Sequence, residues 1–161
     1  MAQKVRRRVE LPTISKTKKT PKPRYKKLAS VKQLEIDYFD WKYHQSSIPV
    51  QCRFKTAFRD DTANGLAGCI EAWCKVHGAF FQRQNSQGQY DSRLEMWRKS
   101  GTTRGIADVQ VTFRGKTYNL EIKIGKDRQS EVQKDVERKI KAAGGHYAII
   151  RCFDDFLEEI Q

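Results

Sequence analysis

Asp108, Glu121 and Lys123 have the types and spacing to do chemistry: two carboxylates able to hold a divalent cation, with an ammonium beside them. They lie in GIADVQVTFRGKTYNLEIK, residues 105 to 123, as an acid, a gap of about a dozen residues and then Glu-x-Lys. Alternation on both sides of Arg114-Gly115 predicts two strands joined by a two-residue turn. With Phe113 facing Lys116, Val111 falls opposite Tyr118, Val109 opposite Leu120 and Ala107 opposite Ile122, which makes one continuous apolar face. The other face pairs Thr112 with Thr117, Gln110 with Asn119, Asp108 with Glu121 and Ile106 with Lys123. A slip of one residue would set Asp108 opposite Leu120 and break both faces, so the pattern itself supports the register.

Direct opposition places the β-carbons of Asp108 and Glu121 about 4.5 to 5.5 Å apart, where like charges destabilise a sheet. Either Lys123 on the same face or a bound cation must compensate. A carboxylate pair suits Mg2+ or Mn2+, which bind through one or two carboxylates and keep waters for substrate. The plainer reading of the same three residues is a solvated sheet face carrying a cluster of charges.

The elements that must position this hairpin are read from periodicity and caps. VKQLEIDYFDWKY, from Val31, places Leu34, Tyr38 and Trp41 at a spacing that suits a helix or an irregular packed arm. Asp61 or Thr62 is set to cap a helix with the apolar face Leu66, Ile70, Trp73, Cys74 and His77, ending at Gly78. AFFQRQN (79–85) predicts a strand, followed by a polar loop rich in Ser, Gly and Gln. Beyond the hairpin, a helix from about Ser130 to Ala143 is expected to bury Val132, Val136, Ile140 and Ala143 and to stop at Gly144-Gly145. HYAIIRC (146–152) predicts a buried strand, and a short helix from near Asp154 presents Phe156, Leu157 and Ile160. The fold class is α/β, in the order helix, three strands, helix, strand, helix.

The formal net charge is +13, and +10 of it lies in residues 1 to 28, where eleven Lys and Arg face Glu10 alone. Pro12, Pro21, Pro23 and few apolar residues predict that this arm, residues 1–30, is disordered in isolation. Such an arm suits an anionic polymer, because each cation near a phosphate releases condensed counterions; a solubilising or ribosome-associated tail is the alternative. Residues 31–60 form an irregular or helical extension, and 61–161 the main domain. No stretch approaches the roughly 20 apolar residues of a membrane span and no signal-peptide core is present, so a soluble, cytoplasmic protein is expected. Cys52, Cys69, Cys74 and Cys152 show no CxxC pair and no zinc spacing, which predicts reduced, mostly packed thiols.

An acid on the second strand, Glu-x-Lys on the third and a helix straight afterwards resemble the core of the PD-(D/E)xK nuclease superfamily. More narrowly, RQNSQG (83–88), GIAD (105–108), EIKIGKDRQSEVQ (121–133) and AGGHYAIIRCFDDF (143–156) look like the virus-type replication-repair nuclease (VRR-NUC) family, over about residues 62 to 157. The resemblance implies a restriction-endonuclease-like core over 61–161: a helix, a three-stranded antiparallel or mixed sheet, a helix and a strand. It implies Asp108, Glu121 and Lys123 as catalytic residues, with Gln133 in the same constellation. Where the superfamily writes proline before its aspartate, this chain has Ala107. Where the family often adds a glutamate early in its first helix, this chain has Asn64. Glu71, on the same helix face about 10 Å further along, either supplies that acid or is a surface residue.

The implied activity is that of a Mg2+-dependent deoxyribonuclease, with Mn2+ as a substitute. It would cut phosphodiester bonds in branched or structured DNA, in the manner of a junction resolvase, during replication, recombination or repair. If the source is a phage, the compartment is the bacterial host cytoplasm. Asp108, Glu121 and the carbonyl of Ile122 would hold the metal, and Lys123 would orient the attacking water or stabilise developing charge. Gln133 either completes a Ser-x-x-Gln capping box with Ser130 or contacts the water or phosphate. Arg83, Lys126 and Arg128 flank the site as phosphate contacts or as solvated charges. Two symmetric cuts would require a homodimer. The absence of a zinc finger or helix-turn-helix favours recognition of shape and backbone. The other class of function is a nucleic-acid-binding protein that keeps the fold without cleaving.

Overall fold

A computed structural model describes residues 24–84, 89–98, 101 and 103–161. The elements follow the chain as α1 (Ala29–Tyr43), a 3-10 turn (Val50–Cys52), α2 (Ala63–His77), β1 (Phe80–Arg83), β2 (Gln89–Asp91), β3 (Met96–Arg98), β4 (Val109–Phe113), β5 (Lys116–Ile122), α3 (Glu131–Ala142), β6 (His146–Ile150) and α4 (Phe153–Glu159). A mixed four-stranded sheet runs β1-β4-β5-β6, antiparallel except for the parallel β5/β6 pair, while β2 and β3 form a separate two-stranded hairpin. Parallel neighbours need a long crossover, and the segment containing α3 supplies it.

The β4/β5 register pairs Phe113 with Lys116, Val111 with Tyr118 and Val109 with Leu120, as the alternation predicts. Arg114 (φ 49°) and Gly115 (φ 77°) make the turn, both with the positive φ that a type I′ hairpin demands. Ala107, Val109, Val111, Tyr118, Leu120 and Ile122 are all buried. Most of this face joins Leu66, Ile70 and Trp73 of α2 and Phe153 and Phe156 of α4 in one core. Thr62 caps α2, its hydroxyl accepting from the Gly65 amide at 3.1 Å, and Gly78 (φ 67°) ends it in the left-handed region. His77, expected on the apolar face, is exposed and stacks on Trp73 instead.

Residues 29 to 43 form a helix, which resolves the choice between helix and irregular arm, and Val31 and Leu34 enter the same core as α2 and α4. Asp60 secures the junction. Its buried carboxylate accepts from the Tyr25 hydroxyl at 2.7 Å and from the Phe153 amide at the start of α4 at 3.1 Å. Glu35 accepts from the Phe58 amide at 2.7 Å and pairs with Lys27. The basic arm read as 1–30 therefore overlaps placed residues from 24 onward, and residues 1–23 lie outside the described residues. The polar loop after β1 lies partly outside them as well, at 85–88.

Two expectations are corrected. The helix predicted to bury Val132, Val136, Ile140 and Ala143 has no buried residue: Val132 is 38% exposed, Val136 and Ile140 are half-buried and Ala143 is exposed. It faces the polar side of the sheet, where Gln133 reaches Glu121, and so has little core to enter. β6 is likewise buried only at Tyr147 and Ile150. The four cysteines are free, with Cys69 and Cys74 buried and their thiols pushed up to about 12 by burial. No helix among the described residues is long and apolar enough to cross a membrane.

Candidate active site

Asp108 stands at the bend that leads into β4, one residue before the ladder begins. Its Oδ2 accepts from the Ile122 amide at 3.0 Å, so a carboxylate continues the β4/β5 pairing where a backbone carbonyl would otherwise serve. The Asp108 carbonyl accepts from Gln84 at 2.9 Å, which ties the end of β1 to the same point. The Lys123 amide points the other way, donating to the Ile150 carbonyl at 3.0 Å. Because a trans peptide is planar, the Ile122 carbonyl must point away from β6 and toward Asp108.

Glu121 is 0% exposed on the face opposite the apolar core. Its Oε1 accepts from Lys123 Nζ at 2.9 Å and from Gln133 Nε2, and the Tyr147 hydroxyl lies 3.4 Å from Oε2. Burial pushes the Glu121 carboxyl above the usual glutamate range; the Lys123 hydrogen bond opposes this and the nearby Asp108 charge adds to it. Lys123 is 6% exposed, and its Nζ also lies 3.5 Å from Asp127. Burial alone would depress its value, but the Glu121 hydrogen bond and the charges of Glu121, Asp127 and Asp108 outweigh it. The group is thus held as an ammonium, a donor and a positive charge, above the usual lysine range.

Gln133 makes the capping box, and its other end meets Glu121. Its Oε1 accepts from the Ser130 amide at 2.9 Å while the Ser130 hydroxyl accepts from the Gln133 amide, a complete capping box at the start of α3. Its Nε2 is then free to donate to Glu121, so the cap aims the amide at the carboxylate. Gly105 sets the spacing between the Asp108 loop and this helix. At φ 81° a side chain there would be strained, and a β-carbon would come within 2.8 Å of Val132 Cγ1.

The remaining candidates show no contact with Asp108, Glu121 or Lys123 among the described residues, although Arg83 is the cross-strand partner of Val109. Arg83 donates to Asn64 in the first turn of α2, so these two residues engage each other. Glu71 is half-exposed and pairs with Lys75 at 2.6 Å, as a surface i,i+4 pair does. Lys126 and Arg128 are exposed in the segment that joins β5 to α3. Two contacts escaped sequence reasoning. Tyr147 comes to Glu121 because β6 runs parallel to β5 and alternates its faces, a pattern hidden when HYAIIRC is taken as buried throughout. Asp127 is legible only as the i+4 neighbour of Lys123.

Compared with protein-family models, with curated proteins and with solved structures, the chain matches nothing. The site therefore has to speak through its own geometry.

Proposed function

We propose that this protein is a Mg2+-dependent nuclease of the PD-(D/E)xK type, similar to the virus-type replication-repair family, acting on branched or structured DNA. The observation that carries the reading is the joining of the sequence-predicted residues. Buried Glu121 is held by Lys123 and Gln133, and Asp108, at the bend that enters β4, is fixed by the Ile122 amide next to Glu121 in the chain.

The donor set fits Mg2+ or Mn2+: two carboxylates and the Ile122 carbonyl are all hard oxygens. Burial raises the Glu121 carboxyl, the Lys123 hydrogen bond opposes that shift, and the Asp108 charge adds to it. Among the described residues no three His, Cys, Asp or Glu are grouped to hold a metal. Two acids suit an ion that keeps several waters rather than one caged by protein. When bound, the metal would acidify a water and draw charge from the phosphate. Lys123, a compact ammonium fixed by Glu121, is placed to donate to that water or to a phosphate oxygen where charge builds. Gln133 holds Glu121 in place and keeps α3 at the site. The exposed Lys126 and Arg128 supply charge for the flanking backbone.

One observation favours the non-catalytic alternative: Glu121 is already enclosed by Lys123, Gln133 and Tyr147, as a purely structural ion pair would be. Incubating end-labelled junction, duplex, single-stranded DNA and RNA with and without Mg2+ separates the two. The nuclease reading requires Mg2+-dependent cuts in at least one DNA substrate, with the branched one preferred. Binding without cleavage of any of them would favour the alternative.

A further inference from the structure

The β2–β3 hairpin is absorbed neither by the core nor by the site. Tyr90 and Trp97 are direct cross-strand partners, their rings 5.7 Å apart in an edge-to-face pair. Yet Tyr90 is 50% exposed and Trp97 70% exposed. Asp91 shapes the tip by accepting from the Arg93 amide at 2.9 Å, and Glu95 closes it at φ 48°. The tip leaves Leu94 55% exposed.

The insertion that carries this hairpin leaves the sheet after Gln84 and returns at Asp108, and these two residues are hydrogen-bonded to each other at 2.9 Å. Both stems thus converge on one wall of the candidate site. The sequence around the aromatic pair supplies Arg93, Arg98, Lys99 and Arg104 against Asp91 and Glu95. A second copy of the chain is a poor occupant for the face. Two strands of three residues, each about 10 Å long and about 5 Å apart, offer a face on the order of 100 Å², far short of the roughly 800 Å² per partner that a stable dimer buries. A base, in contrast, needs only one flat ring and a nearby cation, and every base has such a face.

We propose that the hairpin is a base-stacking arm, in which Trp97, braced by Tyr90, receives an unpaired nucleobase of the strand presented at Asp108. This rests on the nucleic-acid reading of the site but not on cleavage, and the two can fail separately. The test is fluorescence anisotropy in metal-free buffer, using labelled oligothymidine and a blunt duplex of the same length. Trp97→Ala should weaken oligothymidine binding about tenfold, the scale of one lost base stack. Its duplex binding should stay within about twofold, since backbone contacts dominate there. Trp97→Phe should restore most of the affinity. It should also abolish the quenching of tryptophan emission that oligothymidine causes in the wild type, because Trp73 is buried and Trp41 lies on α1.

Unchanged oligothymidine binding by Trp97→Ala, or equal losses on both probes, would overturn the assignment. So would a wild-type dimer, seen by light scattering, that Trp97→Ala dissociates. If Trp97→Ala binds as wild type while wild type still cuts with Mg2+, only the arm falls. If wild type neither binds nor cuts, the site reading falls with it.

Discussion

Lys123 Nζ lies 2.9 Å from Glu121 Oε1 with the two side chains 8% and 0% exposed, so the ion pair is closed off from bulk water. Removing one partner of a buried pair costs about 3–5 kcal/mol, because the other charge is left uncompensated. Lys123→Met should therefore melt well below wild type, and the gap should narrow toward acid pH as Glu121 takes up a proton. Lys123→Arg keeps the charge and most of the stability. A planar fork cannot stand where a compact ammonium stands, however, so both variants should cleave slower by on the order of a hundredfold or more. Melting curves beside single-turnover rates check this, and a wild-type rate in the arginine variant would make Lys123 a counter-charge only.

The Glu121 carboxyl is raised above its ordinary value of 4.5, with burial as the leading cause. Between 4.5 and the raised value the folded chain keeps a proton that the unfolded chain has released. Its contribution to stability is therefore present at the acid end and lost as pH rises through the folded value. Glu121→Gln cannot titrate. Its melting temperature relative to wild type should move in favour of the variant between pH 4.5 and pH 7, as followed by calorimetry across that range. A constant difference would place the Glu121 carboxyl in its ordinary range.

Gln133 and Ser130 share a cap but not a site, which allows the two roles to be separated. Ser130→Ala should cost about 1 kcal/mol of stability, as lost helix caps do, and leave cleavage near wild type. Gln133→Glu retains an acceptor for the Ser130 amide but sets a carboxylate against buried Glu121, so cleavage should fall far more than stability. Equal losses of rate in the two variants would reduce Gln133 to a cap.

A cut at residue 23 tests the basic arm while keeping Tyr25 and Lys27, which bond to Asp60 and Glu35. Deletion of residues 2–23 removes Lys4, Arg6, Arg7, Arg8, Lys16, Lys18, Lys19 and Lys22 with Glu10. The slope of log affinity against log salt should flatten and affinity should fall, while the melting temperature and low-salt cleavage persist. An unchanged salt slope would mean that the arm does not meet nucleic acid.

What was legible in the sequence, and what was not, follows from how far each signal repeats. The β4/β5 register could be read because alternation on both strands and the Arg114-Gly115 turn agree; the ladder ends at Val109 and Leu120, one step short of the expected Asp108–Glu121 pair, and the Asp108 carboxylate accepts from the Ile122 amide. The β2–β3 hairpin was missed because two strands of three residues complete hardly one period. Val132, Val136 and Ile140 have the spacing of a core face, but spacing says nothing about what the helix packs against. α3 meets the polar side of the sheet through Gln133, so those residues stay partly open. Tyr147 and Asp127 reach the site through a parallel crossover and a loop, contacts that no local pattern encodes.

The central claim is that the charge of Asp108 serves a cation, while the fold needs only its oxygen as an acceptor for the Ile122 amide. The Ile122 amide needs an acceptor, which asparagine supplies as well as aspartate does, so Asp108→Asn should melt with wild type. Asp108→Ala would strand a buried amide at a cost of about 1–3 kcal/mol. The decisive measurement is single-turnover cleavage of a labelled four-way junction in Mg2+ by wild type and Asp108→Asn, with junction binding measured in parallel. Full binding by both, with cleavage by wild type alone, is the predicted result. Cleavage by Asp108→Asn at the wild-type rate, or none by wild type on any branched DNA, would contradict it.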